Sequence, residues 1–103
     1  MILVLANITT TTEAIDATKA AIAEMEKASQ AEGGCISYRF TQELSRPERM
    51  VVVEQWVSVD ALKEHFGAPH MGAFSAALAA HPPLEVDAKM YELGEAQPLP
   101  ERD

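Results

Sequence analysis

The sequence predicts an α+β domain in which four strands form one antiparallel sheet with helices packed on one face. Three observations lead there. A chain of 103 residues has room for a single hydrophobic core. Its apolar residues switch between strand-like alternation and helix-like steps in the order strand, helix, strand, strand, helix, strand, which is a split βαβ arrangement. Glycine, proline or short polar runs fall at the changes of period.

Composition narrows the class. Hydrophobic residues make up 48% and charged residues 23%, the balance of a globular protein rather than a disordered or disulfide-stapled one. Sixteen acidic against eight basic residues leave a net charge of −8, a field that repels phosphate backbones and anionic headgroups. No nucleic acid and no membrane are expected as partners. Cys35 is the sole cysteine and can form no intrachain disulfide, so a reducing, cytoplasmic setting is expected. The apolar opening Met1 to Ala6 lacks a basic leader and turns polar at Asn7, which suits a strand rather than a signal or a membrane span.

Residues 2 to 8 form the first predicted strand, bounded by the threonines 9 to 12. Thr10 and Glu13 have capping-box spacing, so a helix is expected from about Thr11 to about Glu32, with Ile15, Thr18, Ile22, Met25 and Ser29 on its inner face. Gly33 and Gly34 are expected to end it by adopting the left-handed conformation. From Cys35 to Thr41 the alternation predicts a strand with Ile36, Tyr38 and Phe40 on one side, turning at residues 45 to 48 into a second strand from Met50 to Val57. On that strand Val52, Glu54 and Trp56 share a face. Ser58 caps a short helix through Phe66, Gly67 breaks it, and Pro69 opens another to about Ala80, stopped by His81-Pro82-Pro83. Leu84, Val86, Ala88 and Met90 then alternate with polar residues and Tyr91, predicting a last strand with one buried side. Several strands are apolar on both faces, so a homodimer packed sheet to sheet is expected.

The run Glu32 to Tyr38, the Glu54-Gln55-Trp56 strand end, the Leu62-Lys63-Glu64-His65 helix and Pro69 to Phe74 carry a resemblance. In this order and spacing the chain resembles the antibiotic-biosynthesis-monooxygenase family. The resemblance covers residues 1 to 93 as one domain and leaves residues 94 to 103 as a polar tail. It implies a ferredoxin-like protomer that pairs into a dimeric α+β barrel. It implies one of several activities, since the family is similar to oxygenases that use no metal or flavin, quinol oxidases, haem-degrading proteins and an isomerase. Haem degraders resemble this chain less, because Phe74, Ser75 and Ala76 stand where a ligand histidine is implied.

Asn7, Trp56, His65 and His70 are expected to converge between helices and sheet. A neutral imidazole accepts a phenolic proton near neutral pH, which makes His65 the candidate base, although a helix-edge histidine also serves as a surface or capping group. Trp56 suits stacking on an aromatic ring, or simple burial. Asn7, a carboxamide in an aliphatic strand, either holds a substrate oxygen or caps the threonine-rich turn. His70, Phe66 and Phe74 are the candidate substrate-binding residues, with His70 alternatively serving its helix end. Glu54 is expected to pair with Arg39 or Arg49 across the hairpin, and Cys35 to be a core residue. No metal is expected, because His65 and His70 straddle a glycine and proline break with no third ligand near in sequence, and no cofactor is expected. The function expected is a cofactor-independent monooxygenase acting with O2 on a small aromatic hydroquinone or polyphenol. An isomerase of a small carbonyl metabolite, or a dimer that only binds a small molecule, are the alternatives.

Overall fold

In a computed structural model, which describes residues 1–101, the chain forms β1 (Ile2–Thr9), α1 (Thr12–Gln30), β2 (Cys35–Gln42), β3 (Arg49–Trp56), α2 (Val59–Phe66), α3 (Pro69–Leu78) and β4 (Glu85–Glu92). The sheet order is β2-β3-β1-β4, with every neighbouring pair antiparallel. This is the ferredoxin-like α+β arrangement the sequence predicts. Arg102 and Asp103, the end of the expected tail, lie outside the described residues. Among the described residues no helix is long and apolar enough to cross a membrane.

The register sorts side chains between the two faces. Ile2, Val4, Ala6 and Ile8 of β1 stand beside Trp56, Glu54, Val52 and Met50 of β3 on the helix side. The principal core gathers Ile2, Val4, Met25, Tyr38, Val52, Trp56 and Leu62 there, and a second cluster of Ile15, Ile22 and Met50 lies farther along α1. All five inner-face positions expected on α1 are buried. Leu3, Leu5, Val51 and Val53 occupy the opposite face.

Local chemistry departs from expectation in four places. The N-cap of α1 is Thr11, whose hydroxyl accepts from the Ala14 amide at 3.1 Å. Thr10 is instead buried, with its amide donating to the Glu48 carbonyl. The helix then stops at Gln30 with a right-handed cap at Ala31, and no glycine among the described residues has a positive φ. Gly34 is needed for close approach instead: a Cβ there would collide with the Cβ of Ala61. A register shift between Cys35 and Ser37 turns Ile36 out to solvent, so only Tyr38 and Phe40 of the expected trio face the helices. Finally, β4 has no buried side within one chain, since all eight of its residues are exposed.

The helical punctuation after β3 follows the sequence. Ser58 caps α2 by accepting from the Ala61 amide at 3.1 Å, and Pro69 occupies the first turn of α3, where its missing N–H costs nothing. The short break at Gly67 and Ala68 turns the chain so that His65, in the last turn of α2, and His70, in the first turn of α3, face the same point.

Candidate functional site

The helix-facing ends of β2 and β3 supply the floor of a buried aromatic cluster. Tyr38 and Trp56 pack edge to face with centroids 6.4 Å apart. His65 descends from α2 onto both, 4.6 Å from the indole and 5.4 Å from the phenol ring. Trp56 is fully buried and His65 is 1% exposed. The indole N–H donates to Glu54 Oε1 at 3.0 Å, which satisfies the one polar atom of that ring. Glu54 therefore bonds on the helix side rather than across the hairpin, where Arg39 and Arg49 point to the opposite face. Burial raises the Glu54 carboxyl above its ordinary pKa of 4.5, only partly offset by the indole N–H and by His65. Burial likewise raises the Tyr38 phenol, helped by the negative charge of Glu54.

Glu32 joins the two histidines. Its Oε2 lies 2.6 Å from His65 Nδ1 and 2.8 Å from His70 Nε2. An ionised carboxylate only accepts, so each imidazole turns an N–H toward it. In its neutral form His65 then carries its lone pair on Nε2, an atom that is buried and has no hydrogen-bond partner. Cys35, half-buried at the start of β2, has its thiol pKa raised by burial and by the Glu32 and Glu54 charges, which disfavours a reactive thiolate.

A separate narrow groove, with an accessible volume of about 40 Å³, lies between α1, the sheet and the end of α3. Its walls are apolar, with Ile15, Phe40, Met50 and Phe74 among them, and the two phenylalanine rings meet edge to face at 5.6 Å. Its polar lining includes Thr10, Thr18 and His81. The Thr18 hydroxyl is already committed to the Ala14 carbonyl at 2.7 Å. His81 is exposed, so its imidazole meets both groove and solvent.

The expected site residues thus fall in four places. Trp56, His65 and His70 come together beneath α2 and α3. Phe74 lines the groove and also meets His70 in a second cleft against Met25 and Ala28 of α1, while Phe66 is 59% exposed on the outer side of α2. Asn7 does not join the others: it projects from the opposite face of the sheet, beside Val51 and Asp87, in a polar cleft with Glu43, Arg49 and Glu85. Strand alternation decides this, because Asn7 is one residue out of step with Ala6 and Ile8.

Sequence reading passed over Glu32 and His81. For Glu32 a signal exists: a carboxylate just past a helix C-terminus meets the unfavourable end of the helix dipole and calls for donors nearby. For His81 the signal is masked, since the residue also marks a helix stop.

Comparison with known proteins agrees with this architecture. A candidate antibiotic biosynthesis monooxygenase from Deinococcus radiodurans superposes with a TM-score of 0.87 at 22% identity, covering 98% of this chain and 100% of that one, a likeness of fold. Rv0793 from Mycobacterium tuberculosis matches with a TM-score of 0.80 at 28% identity, over 93% and 98% of the two chains. PA3566 from Pseudomonas aeruginosa matches at 0.78 and 26%, over 90% and 94%. No functionally curated protein matches this sequence. The sequence profile of one family matches residues 1–77, most of the chain from β1 into α3, and on that match the chain belongs to the antibiotic biosynthesis monooxygenase family.

Proposed function

We propose that the protein is a monooxygenase for a small, flat phenolic molecule, a hydroquinone or polyphenol, working in the cytoplasm without a cofactor. The observation that carries this reading is the apolar groove walled by Phe40 and Phe74 with an imidazole at its mouth. Such walls suit the flat face of an aromatic ring, which would enter as the narrow groove widens between α1 and α3 and would displace water from them. Loss of the phenolic proton makes the ring electron-rich enough to reduce O2. One oxygen atom enters the ring and the other leaves as water. The substrate supplies all four electrons, two in the hydroxylation and two in passing from quinol to quinone, so no external reductant is required.

Two imidazoles compete for the role of base. His81 lines the groove and reaches solvent. His65, the candidate from sequence, has its free Nε2 enclosed beside Trp56 and Tyr38, which favours His81 as the group in contact with substrate. Phe40 and Phe74 then touch the ligand, while Trp56 and His70 lie outside the groove lining. The same reading makes the protein a homodimer, joined through the free sheet face on which Leu3, Leu5, Val51, Val53 and Tyr91 cluster. Asn7 lies on that face.

Oxygen uptake with a panel of quinols tests the reaction. Turnover should need O2, and His81→Ala should lower it by roughly 100-fold or more. If a folded His65→Ala protein loses turnover while His81→Ala keeps it, the base is His65. Turnover that persists without oxygen would replace the oxygenase with an isomerase.

A further inference from the structure

Glu32, His65 and His70 form a compact set of one oxygen and two nitrogen donors, all within 4.8 Å of one another. They come from three elements: the turn after α1, the end of α2 and the start of α3. In sequence Glu32 lies 33 residues from His65 and 38 from His70, which is why spacing along the chain argued against a metal. We propose that these three side chains form a binding site for a borderline divalent cation of the zinc type, which ties the end of α1 to the α2–α3 junction.

The donor set suits that class of ion. Two imidazoles and a carboxylate are the ligands of open zinc sites with a fourth position for water, whereas magnesium and calcium prefer all-oxygen shells. Zinc bonds of about 2.0–2.2 Å place neighbouring donors about 3.3 Å apart in a tetrahedron. The present N···O separations of 2.6 and 2.8 Å need a modest opening, and the two histidine nitrogens, within 4.8 Å of each other, need to draw together as the rings turn about the ion. Glu32 and His70 are the mobile partners, with side chains 18% and 22% exposed, and they supply the entry path. His65, at 1%, is the fixed anchor.

Proton accounting favours binding as well. Each histidine need lose no net proton, because a neutral imidazole can shift its hydrogen to the other nitrogen when the first takes the metal. For His65 that move converts the buried, unpartnered lone pair of Nε2 into an N–H. Among the aromatic rings of Trp56 and Tyr38 an N–H finds weak π acceptors, while a lone pair finds none. The acidic chain, at −8, also draws cations. None of the three ligands lines the apolar groove, so the site stands apart from the proposed reaction and either can fail without the other.

Chelator-stripped protein titrated with Zn2+, and with Co2+ as a spectroscopic probe, tests the site. One ion should bind per chain, Co2+ should develop the intense visible bands of a four-coordinate ion, and saturating Zn2+ should raise the unfolding midpoint by on the order of 10 °C. His70→Ala and Glu32→Gln change partly exposed side chains and should keep the fold by circular dichroism while weakening Zn2+ binding by roughly 100-fold or more. Failure of Zn2+ and Co2+ to bind would overturn the proposal. So would affinity unchanged in both variants, which would place the ion on surface carboxylates, or an equal thermal shift from Mg2+.

Discussion

The two edges of the sheet are built differently. At the β2 edge, α1 finishes what the strand leaves open: Glu26 accepts from the Phe40 amide at 2.9 Å and Gln30 donates to the Tyr38 carbonyl at 2.9 Å. Backbone groups that would invite another strand are thereby occupied, and the Tyr38 ring beneath is sealed under Trp56 and His65. At the β4 edge no such cover exists. Val86, Ala88 and Met90 lie on the helix side of the sheet, in register with Ile8, Ala6 and Val4, yet Val86 is 54% and Met90 50% exposed. The helices cover β2, β3 and the helix side of β1, with α1 packed on β2 and α2 on β3, and β4 alone is left bare. One half of the molecule is complete as a single chain; the other has the composition of a buried strand without the burial. That contrast leaves the helix side of β4 as a surface still to be covered, separate from the opposite sheet face through which the proposed dimer joins.

Substitutions on the two halves should separate accordingly. Trp56→Ala empties the sealed cluster and strands the Glu54 carboxylate, so unfolding stability should fall by about 3–5 kcal/mol in urea titrations. A loss below about 1 kcal/mol would show that the cluster is not the core of the finished half. Gly34→Ala, which drives a methyl group against Ala61 on α2, should cost about 1–3 kcal/mol, measured in the same way. Val86→Ala on β4 should change stability by less than about 0.5 kcal/mol in dilute, monomeric protein. At concentrations where sedimentation shows a dimer its effect should grow if the partner covers β4, and stay flat if it does not.

A pH series sharpens the comparison from within the sealed half. Burial raises the folded pKa of Glu54 above its unfolded value, so the folded state holds this proton more tightly. Its contribution to stability is full below the ordinary value of 4.5 and is lost as pH rises through the higher folded value. Glu54→Gln keeps an acceptor for the Trp56 indole but has no charge to bury. The variant should therefore gain on the native protein as pH climbs from about 4 to 7. A stability difference that is flat across this range would mean that Glu54 carries its charge without penalty.

Much of this was written in local sequence. Period two and period three-to-four patterns gave the strands and helices, Ser58 and Pro69 marked helix starts, and alternation put Val52, Glu54 and Trp56 on one face. These features depend on neighbours a few residues away, and the chain carries them wherever it goes. Other features depend on what a residue meets after folding. The bulge at Ile36 and the close approach that requires Gly34 arise from packing between elements distant in the chain. So does the exposure of β4, because alternation announces an apolar side without saying whether this chain or another will cover it. The candidate site divides along the same line. Trp56, His65 and His70 were legible as residue types, but Glu32, the acceptor that both histidines share, comes from a turn more than thirty residues away. The sequence determined which side chains could do chemistry, since periodicity and capping are local. Tertiary structure decided which of them meet, since a contact between α1, α2 and α3 exists only once the sheet has fixed where each helix lies.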